Sequence, residues 1–233
     1  MEPKTIKALK QLFDTNQISA ADLERLKSDP RKGVQQLIHT YEKKKHEHMA
    51  LENSFLKMRH YEQIYYDKGL DYIAGVDEAG RGPLAGPVVA AAVILPKHFK
   101  LLGLNDSKQL NEKTRDHFYN VIKEQAISYG IATISNDEID KINIYEATKK
   151  AMIYAVNQLE PQPDHVLIDA VKLEKRHYST ESLIKGDQKS ISIAAASILA
   201  KVTRDHLMKE LDHQFPMYHF SNHMGYGTKQ HLD

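Results

Sequence analysis

The sequence predicts an α/β fold, a mixed sheet flanked by helices and preceded by an all-helical region. Two apolar runs of strand length, 72–76 and 87–95, are separated by a glycine-rich turn, which indicates a buried antiparallel pair. A third strand is expected at 127–134, and beyond it stretches of helical spacing alternate with short apolar runs. Three strands followed by alternating helices and strands are typical of a sheet that carries helices on its faces.

The later elements follow from the spacing of their apolar residues. Helical spacing covers 111–126 and 144–159, and an alanine-rich helix is expected from about residue 190 to 212. Short strands are expected at 165–168 and at 182–185.

The first 70 residues carry a different composition from the rest. They hold 13 basic and 10 acidic side chains, whereas the remainder holds 19 and 21. Asp29-Pro30 predicts an N-cap followed by proline at the first helical position. The apolar stripes predict one long helix, or two joined helices, with an exposed middle at 43–48.

Composition excludes several classes of protein. A chain of 233 residues with 41% hydrophobic and 27% charged residues is large enough for one domain plus an extension. It contains no cysteine, so disulfides, thiolate nucleophiles and cysteine-bound zinc are excluded, and we expect a cytoplasmic protein. No apolar run reaches membrane-spanning length, so we expect no membrane partner. A formal net charge of +1 provides no global argument for nucleic-acid binding.

Acidic residues stand at three strand ends or turns of the predicted sheet. Asp77-Glu78 follows the first strand, Asp169 follows the run 165–168, and Asp187 precedes the alanine-rich helix. Singly, each is explained as an exposed turn acid or a helix cap. Together, hard oxygen ligands from separate strand ends suit Mg²⁺ or Mn²⁺, whose charge offsets the repulsion between carboxylates.

The segment 80–86, Gly-Arg-Gly-Pro-Leu-Ala-Gly, follows these first acids. Its glycine spacing does not match the dinucleotide fingerprint, and it lacks the Gly-Lys-Ser/Thr ending of a P-loop. Glycines allow a backbone to approach a phosphate or sugar closely, and Arg81 can grip a phosphate; a plain strand connector is the alternative. A bend at Gly75 or Gly80 would let neighbouring carboxylates, which point to opposite faces of a regular strand, approach one site.

Several motifs resemble those of ribonuclease HII, and they cover nearly all of the chain from residue 72 onward. The first motif is long and specific. It begins with the residues Tyr-Ile-Ala-Gly-Val-Asp-Glu-Ala-Gly-Arg-Gly-Pro-Leu-Ala-Gly-Pro-Val-Val. The matching segments are 72–95, 105–110, 168–169, 185–190, 194–205 and 224–228.

The resemblance implies an RNase H-like fold, with three antiparallel strands and then parallel ones. It implies an endonuclease that hydrolyses RNA in RNA/DNA hybrids and nicks 5′ of ribonucleotides embedded in duplex DNA, with two Mg²⁺ or Mn²⁺ ions. Arg81 and Asp187 favour this family over ribonuclease HIII, which has a different turn and a glutamate as the fourth acid. The implied metal ligands and catalytic residues are Asp77, Glu78, Asp169 and Asp187. The implied substrate contacts are Gly80, Arg81 and Gly82 at the ribose 2′-OH, Tyr226 on the neighbouring deoxyribose, and Lys108 and Lys185 near phosphates.

Two parts of the chain depart from the minimal family pattern. Residues 1–70 are expected to form a helical extension, either for substrate binding or for packing, and 71–233 the catalytic domain with a shortened C-terminus. We expect a monomer. The basic residues that would contact a duplex from the extension are Lys43, Lys44, Lys45, Lys57 and Arg59.

Two other functions use the same residues differently. A non-catalytic duplex-binding or scaffold protein would use the basic helices and leave the strand-end acids unexplained. An enzyme that binds nucleotide phosphates would use the glycine-rich turn, against its spacing. A zinc site is not favoured, because His46-Glu47-His48 lacks the His-Glu-x-x-His spacing and the pair His219 and His223 lacks evident partners.

Overall fold

A computed structural model describes residues 5–173 and 178–232 of the chain, in two compact units. The first unit is Met1–Ser54 and the second is Phe55–Asp233. The expected domain boundary between residues 70 and 71 stays a prediction. In the described ranges, no helix is both long enough and apolar enough to cross a membrane.

The first unit is helical. Its helices are α1 (Ile6–Asp14), α2 (Ala20–Lys27) and the larger part of α3 (Lys32–Met58). α3 runs unbroken through the polar stretch 43–48, which is exposed. It begins at Lys32 and not at Pro30, because the Asp29 carboxylate accepts hydrogen bonds from the Arg31 backbone N–H and guanidinium instead. The buried core of this unit consists of Leu9, Phe13, Val34 and Ile38.

The second unit contains a five-stranded sheet and the remaining helices. The strands are β1 (Ile73–Ala79), β2 (Val88–Ile94), β3 (Ser128–Ile134), β4 (His165–Asp169) and β5 (Ser179–Leu183). The α-helices are α4 (His60–Asp67), α5 (Glu112–Gln125), α6 (Asn136–Ile142), α7 (Ile144–Asn157), α8 (Ile191–Gln214), α9 (Phe220–His223) and α10 (Lys229–Leu232). Short 3-10 helices cover Ser107–Gln109, Gly186–Gln188 and Pro216–Tyr218.

The sheet has the order β3-β2-β1-β4-β5. β1, β2 and β3 pair antiparallel, whereas β4 and β5 run parallel to β1. The predicted mixed sheet is therefore confirmed. The strand expected at 182–185 lies earlier, because Lys185 adopts a left-handed conformation that ends the extended chain. β1 extends to Ala79, so Asp77 and Glu78 lie within the strand and not after it.

Helices cover both faces of the sheet. α7 packs on one face, and α5 and α8 pack on the other, with tyrosines of α4 beside them. β2 is buried along its whole length, which explains its continuous run of valine and alanine. A Cβ at Gly75 would lie 2.0 Å from the carbonyl carbon of Ser192, so only glycine lets α8 approach β1 this closely. The first turn of α8 therefore lies directly over β1, two residues before Asp77.

Candidate active site

Three aspartates converge where β1 and β4 pass their last paired residues. Val76 of β1 pairs with Ile168 of β4, so the next residues, Asp77 and Asp169, are neighbours across a parallel pair. Asp187 joins them from the 3-10 helix Gly186–Gln188. One carboxylate oxygen from each of the three lies within 4.8 Å of the others. The structure thus brings Asp77, Asp169 and Asp187 together, whereas Glu78 is not part of this group of three, and the roles of the four acids in metal binding and catalysis stay predictions.

The surroundings of this cluster disfavour negative charge. Burial, with the charges of Glu78 and Asp169, holds the pKa of Asp77 well above its usual range. Burial also raises the pKa of Asp169, and burial with the charges of Asp106 and Asp169 raises that of Asp187 to about 6. A doubly charged cation would remove this penalty, and oxygen ligands are the ones that Mg²⁺ and Mn²⁺ take. The donor set therefore fits a divalent metal site.

Glu78 stands beside the three aspartates and is held differently. Its Oε1 accepts a hydrogen bond from Arg81 Nη1 at 3.2 Å. Its Oε2 is buried and has no hydrogen-bond partner among the described residues. Burial raises its pKa despite the opposing Arg81 charge, and Asp169 adds to the rise. A buried oxygen without a partner is costly, so Glu78 also fits the ligand set of a cation.

Of the two bends that the sequence allowed, the one at Gly75 is not found, and regular strand geometry ends at Gly80. β1 keeps its antiparallel register with β2 through Asp77, Glu78 and Ala79. Glu78 and Asp77 therefore leave the strand on opposite faces, and the departure from regular strand comes afterwards, at Gly80 with φ of +110°. The two carboxylates reach one region because both lie beyond the last residue that β1 pairs with β4.

A fifth carboxylate, Asp106, belongs to the same region and was not predicted as a site residue. It is 7% exposed and accepts a hydrogen bond from the backbone N–H of Lys108 at 2.9 Å. Its charge raises the pKa values of Asp169 and Asp187, whereas the charge of Lys108 lowers both. In the sequence it lies within the matching segment 105–110, but its position before a short helix is equally explained by a capping role.

The predicted phosphate-contacting lysines lie at the rim of the cluster. Lys108 is exposed on the 3-10 helix that Asp106 caps. Lys185 is exposed two residues before Asp187, with a φ of +56° that is uncommon for a non-glycine residue. Such conformations persist where the surrounding structure imposes them, frequently at functional sites.

Two loops meet beside the cluster, the glycine-rich segment 80–86 and the segment 224–227. The backbone N–H of Leu84 donates to the carbonyl oxygen of Gly225 at 2.8 Å. A Cβ at Gly82 would lie 3.7 Å from Cε1 of Tyr226, whose side chain is 42% exposed. The predicted substrate contacts Gly80, Arg81, Gly82 and Tyr226 are thus brought to one surface.

Arg204 of α8 connects these two loops through hydrogen bonds to their backbone. The sequence did not indicate this role. It is 1% exposed, and its guanidinium donates to three backbone carbonyl oxygens. Nε donates to Pro87 at 2.9 Å, Nη2 to Ala85 at 3.0 Å, and Nη1 to Met224 at 2.9 Å. A Cβ at Gly80 would lie 2.6 Å from Nε, so glycine is required there both by this contact and by φ.

The histidines do not form a metal site in the described part of the chain. There, the three aspartates are the one group of potential ligands close enough to share an ion. His223 is buried, with Nε2 bonded to the carbonyl oxygen of Tyr218 and its ring stacked on His231.

A mixed sheet that gathers acids at the ends of parallel strands, beside a loop able to approach a sugar-phosphate backbone, defines a metal-dependent nuclease of RNase H-like fold. The ribonuclease HII family model matches residues 74–233, and that of the ribonuclease HII N-terminal domain matches residues 5–66. The chain therefore belongs to the ribonuclease HII family. The predicted family, fold and class of enzyme, a metal-dependent endoribonuclease acting on RNA/DNA hybrids, are confirmed.

Similar proteins and solved structures are also ribonucleases of this kind. Ribonuclease HII of Oceanobacillus iheyensis is 53% identical over 232 residues, covering 100% of this chain and 89% of the relative. That of Listeria innocua is 59% identical over 205 residues, 88% of this chain and 78% of the relative. The crystal structure of ribonuclease H2 from Pyrococcus horikoshii is similar with a TM-score of 0.61 at 27% identity, over 69% of this chain and 83% of that one.

Proposed function

We propose that this chain cleaves duplex DNA on the 5′ side of an embedded ribonucleotide, in addition to RNA in hybrids, with divalent ions held by Asp77, Glu78, Asp169 and Asp187. The observation that carries the proposal is the convergence of three aspartate oxygens within 4.8 Å of one another. When bound, divalent ions supply Lewis-acid stabilisation of the scissile phosphate and acidify the attacking water. No covalent protein nucleophile is required.

The protein's own residues bind and orient the nucleic acid. We propose that the backbone around Gly80 and Gly82 reads the ribose 2′-OH, which is both donor and acceptor. Tyr226, exposed on the neighbouring loop, packs on the adjoining deoxyribose. Lys108 and Lys185 attract phosphates at the rim. Recognition of a sugar and not of a base makes cleavage independent of sequence.

A duplex that carries one ribonucleotide tests this proposal. The protein is incubated with labelled duplex DNA in Mg²⁺, in Mn²⁺ or in excess chelator, and the products are sized on a denaturing gel. We expect a nick 5′ of the ribonucleotide in either metal and none in chelator. Cleavage of a continuous hybrid without nicking at the single ribonucleotide would contradict the proposed specificity. Binding without metal-dependent cleavage would favour the scaffold alternative.

We further propose that the helical first unit adds affinity for the duplex. Lys44 and Lys45 line a cavity of about 470 Å³ together with Phe13 and Tyr41, and cations beside aromatic rings suit a nucleic-acid backbone and its bases. The double variant Lys44→Glu, Lys45→Glu should weaken hybrid binding and reduce its salt dependence. The pair Lys7→Glu, Lys10→Glu on α1 is the control for net charge. Equal effects of both pairs would indicate a response to net charge alone, and an unchanged salt dependence in the Lys44, Lys45 variant would leave the first unit with a packing role.

The cellular setting follows as part of the same proposal. A nick beside a single ribonucleotide is the first step of ribonucleotide excision repair, so we propose that role. A chain without cysteine is suited to the reducing cytoplasm. We propose that the chain acts as a monomer, since the acids and both substrate loops come from one copy.

A further inference from the structure

Glu62 of α4 is a buried carboxyl group that the proposed mechanism does not use. It is 0% exposed. Its Oε1 accepts hydrogen bonds from Ser190 Oγ at 2.5 Å and from the backbone N–H of Ser192 at 2.9 Å. Its Oε2 is buried without a hydrogen-bond partner among the described residues. Burial raises the pKa of this carboxyl group. Because burying a carboxyl group with an unpartnered oxygen costs free energy, we expect Glu62 to have a specific role.

The two donors to Glu62 lie at the start of α8. Ser190 is the N-cap of that helix, and its Oγ also accepts from the backbone N–H of Ile193 at 3.1 Å. The first N–H groups of a helix have no partner within it, and an acid there is favoured by the helix dipole. Glu62 therefore holds the first turn of α8 against α4.

A chain of hydrogen bonds leads from this turn to the metal cluster. The backbone N–H of Ser190 donates to the carbonyl oxygen of Gly186 at 2.9 Å. The backbone N–H of Gly186 in turn donates to Asp169 Oδ1 at 2.6 Å. Asp187 lies inside this short segment. Glu62 is thus three hydrogen bonds from Asp169, and the same segment carries Asp187.

The residues around these hydrogen bonds are tightly packed. A Cβ at Gly186 would lie 2.6 Å from Cδ1 of Ile193 and 3.3 Å from Asp169 Oδ1. Ser197, further along α8, lies 3.0 Å, Oγ to Oγ, from Ser107, and its hydroxyl lowers the pKa of Asp77 against the larger effect of burial. A shift of the first turn of α8 would therefore disturb the segment 186–190, which carries Asp187 and donates a hydrogen bond to Asp169.

We propose that Glu62 is a positioning residue for the metal site, which through Ser190 and Gly186 sets the relative placement of Asp169 and Asp187. The helix before the first strand is then part of the catalytic unit and not only of the extension. This inference rests on the proposed metal-binding function of the aspartates. Partners that orient metal ligands typically change metal affinity by about 10- to 100-fold when they are removed.

The test compares Glu62→Leu with Glu62→Gln in the full-length chain. Leucine removes the acceptor of both hydrogen bonds, whereas glutamine keeps an acceptor of the same size. Mn²⁺ binding is measured by titration calorimetry, and the Mg²⁺ concentration for half-maximal hybrid cleavage is measured separately. For Glu62→Leu we expect both to shift about tenfold towards weaker metal binding, with the KM for hybrid changed much less. Glu62→Gln should restore metal binding to near the wild-type value.

A matched control separates positioning from general destabilisation. Thr148→Val also removes a buried hydrogen bond, that of Thr148 Oγ1 with the carbonyl oxygen of Ile144 on the opposite face of the sheet. It should lower stability without changing metal affinity. Unchanged metal affinity in Glu62→Leu, or an equal shift in Thr148→Val, would overturn the proposal.

Two further outcomes are distinguished by the same measurements. If Glu62→Leu does not fold, Ser190→Ala removes the first link of the chain and leaves the bond of Glu62 to Ser192. Its metal affinity should then fall by a smaller factor, and an unchanged affinity would overturn the proposal. If wild-type protein itself binds no Mn²⁺, the proposed function fails. Wild-type binding that all variants retain would overturn only the role of Glu62.

Discussion

The aspartate cluster (Asp77, Asp169 and Asp187) and the two loops 80–86 and 224–227 lie side by side but differ in how they are held. The cluster is carried mainly by regular strands, with Asp77 and Asp187 buried and Asp169 half-buried where their charges repel one another. The loops contain glycines with positive φ and an exposed tyrosine, and buried Arg204 holds them through three backbone carbonyl groups. Because we propose catalysis for the cluster and recognition for the loops, we expect substitutions in the two regions to have different effects.

The largest effect is expected at the cluster. Asp77→Asn should lower kcat on an RNA/DNA hybrid by about 10³-fold or more, because it removes one charged oxygen ligand. Hybrid binding should be retained, since phosphate contacts come from basic side chains. Steady-state kinetics and a binding assay in chelator measure the two quantities. Asp140→Asn, on exposed α6, is the control, and wild-type turnover by Asp77→Asn at saturating Mg²⁺ would refute the assignment.

A smaller effect, on stability and KM more than on kcat, is expected at the loops. Arg204→Met leaves three buried carbonyl groups without their donor, so the free energy of unfolding should fall by about 3 kcal/mol. Because the loops lose their common support, kcat/KM should fall about 30-fold, mostly through KM, at unchanged Mn²⁺ affinity. Denaturant unfolding, kinetics and calorimetry together check this. A loss of metal affinity equal to the loss in kcat/KM would remove the distinction between the two regions.

The repulsion within the cluster predicts a pH dependence of stability in metal-free protein. The pKa of Asp187 is raised to about 6 in the folded protein, from 3.8. Between these values the folded state binds more protons, so its stability should decrease as the pH rises from about 4 to about 6, by about 2 kcal/mol.

Urea unfolding in chelator at pH 4.5 and pH 7.0 measures this difference. Asp187→Asn should remove the share of Asp187, about 2 kcal/mol, and raise stability at pH 7.0, while the other acids with raised pKa values keep the remainder. Asp140→Asn should leave the whole pH dependence in place. Saturating Mg²⁺ should stabilise the wild-type protein at pH 7.0 through preferential binding to the folded state. An unaltered pH dependence in Asp187→Asn would show that the cluster does not store this repulsion.

The smallest effect is expected at the exposed tyrosine. Tyr226→Ala should cost about 1 kcal/mol of stacking, or about fivefold in kcat/KM, on duplex DNA with one ribonucleotide. The loss on a continuous hybrid should be smaller. Tyr226→Phe keeps the ring and should behave as wild type on both. Equal losses on the two substrates would argue against a tyrosine that reads the junction between ribose and deoxyribose.

Much of the architecture could be predicted, because it depends on neighbouring residues in the chain. The apolar run 87–95 became β2, and the alanine-rich helix became α8, within a few residues of the expected limits. The predicted limits of helices and strands were wrong where a specific contact or backbone conformation overrode the sequence pattern. Asp29 bonds to Arg31 and delays α3, and the extended chain of β5 ends before Lys185.

The sequence by itself determined the class of fold and the family and predicted the four acids of the site, since periodicity and motif are local properties of the chain. Only the tertiary structure decided which polar groups are in contact with one another. Glu62 is 128 residues from Ser190 and Arg204 is 117 from Pro87, yet each pair is in hydrogen-bond contact. The contribution of a buried charge depends on its surroundings, and these exist only once the sheet and α8 have packed together.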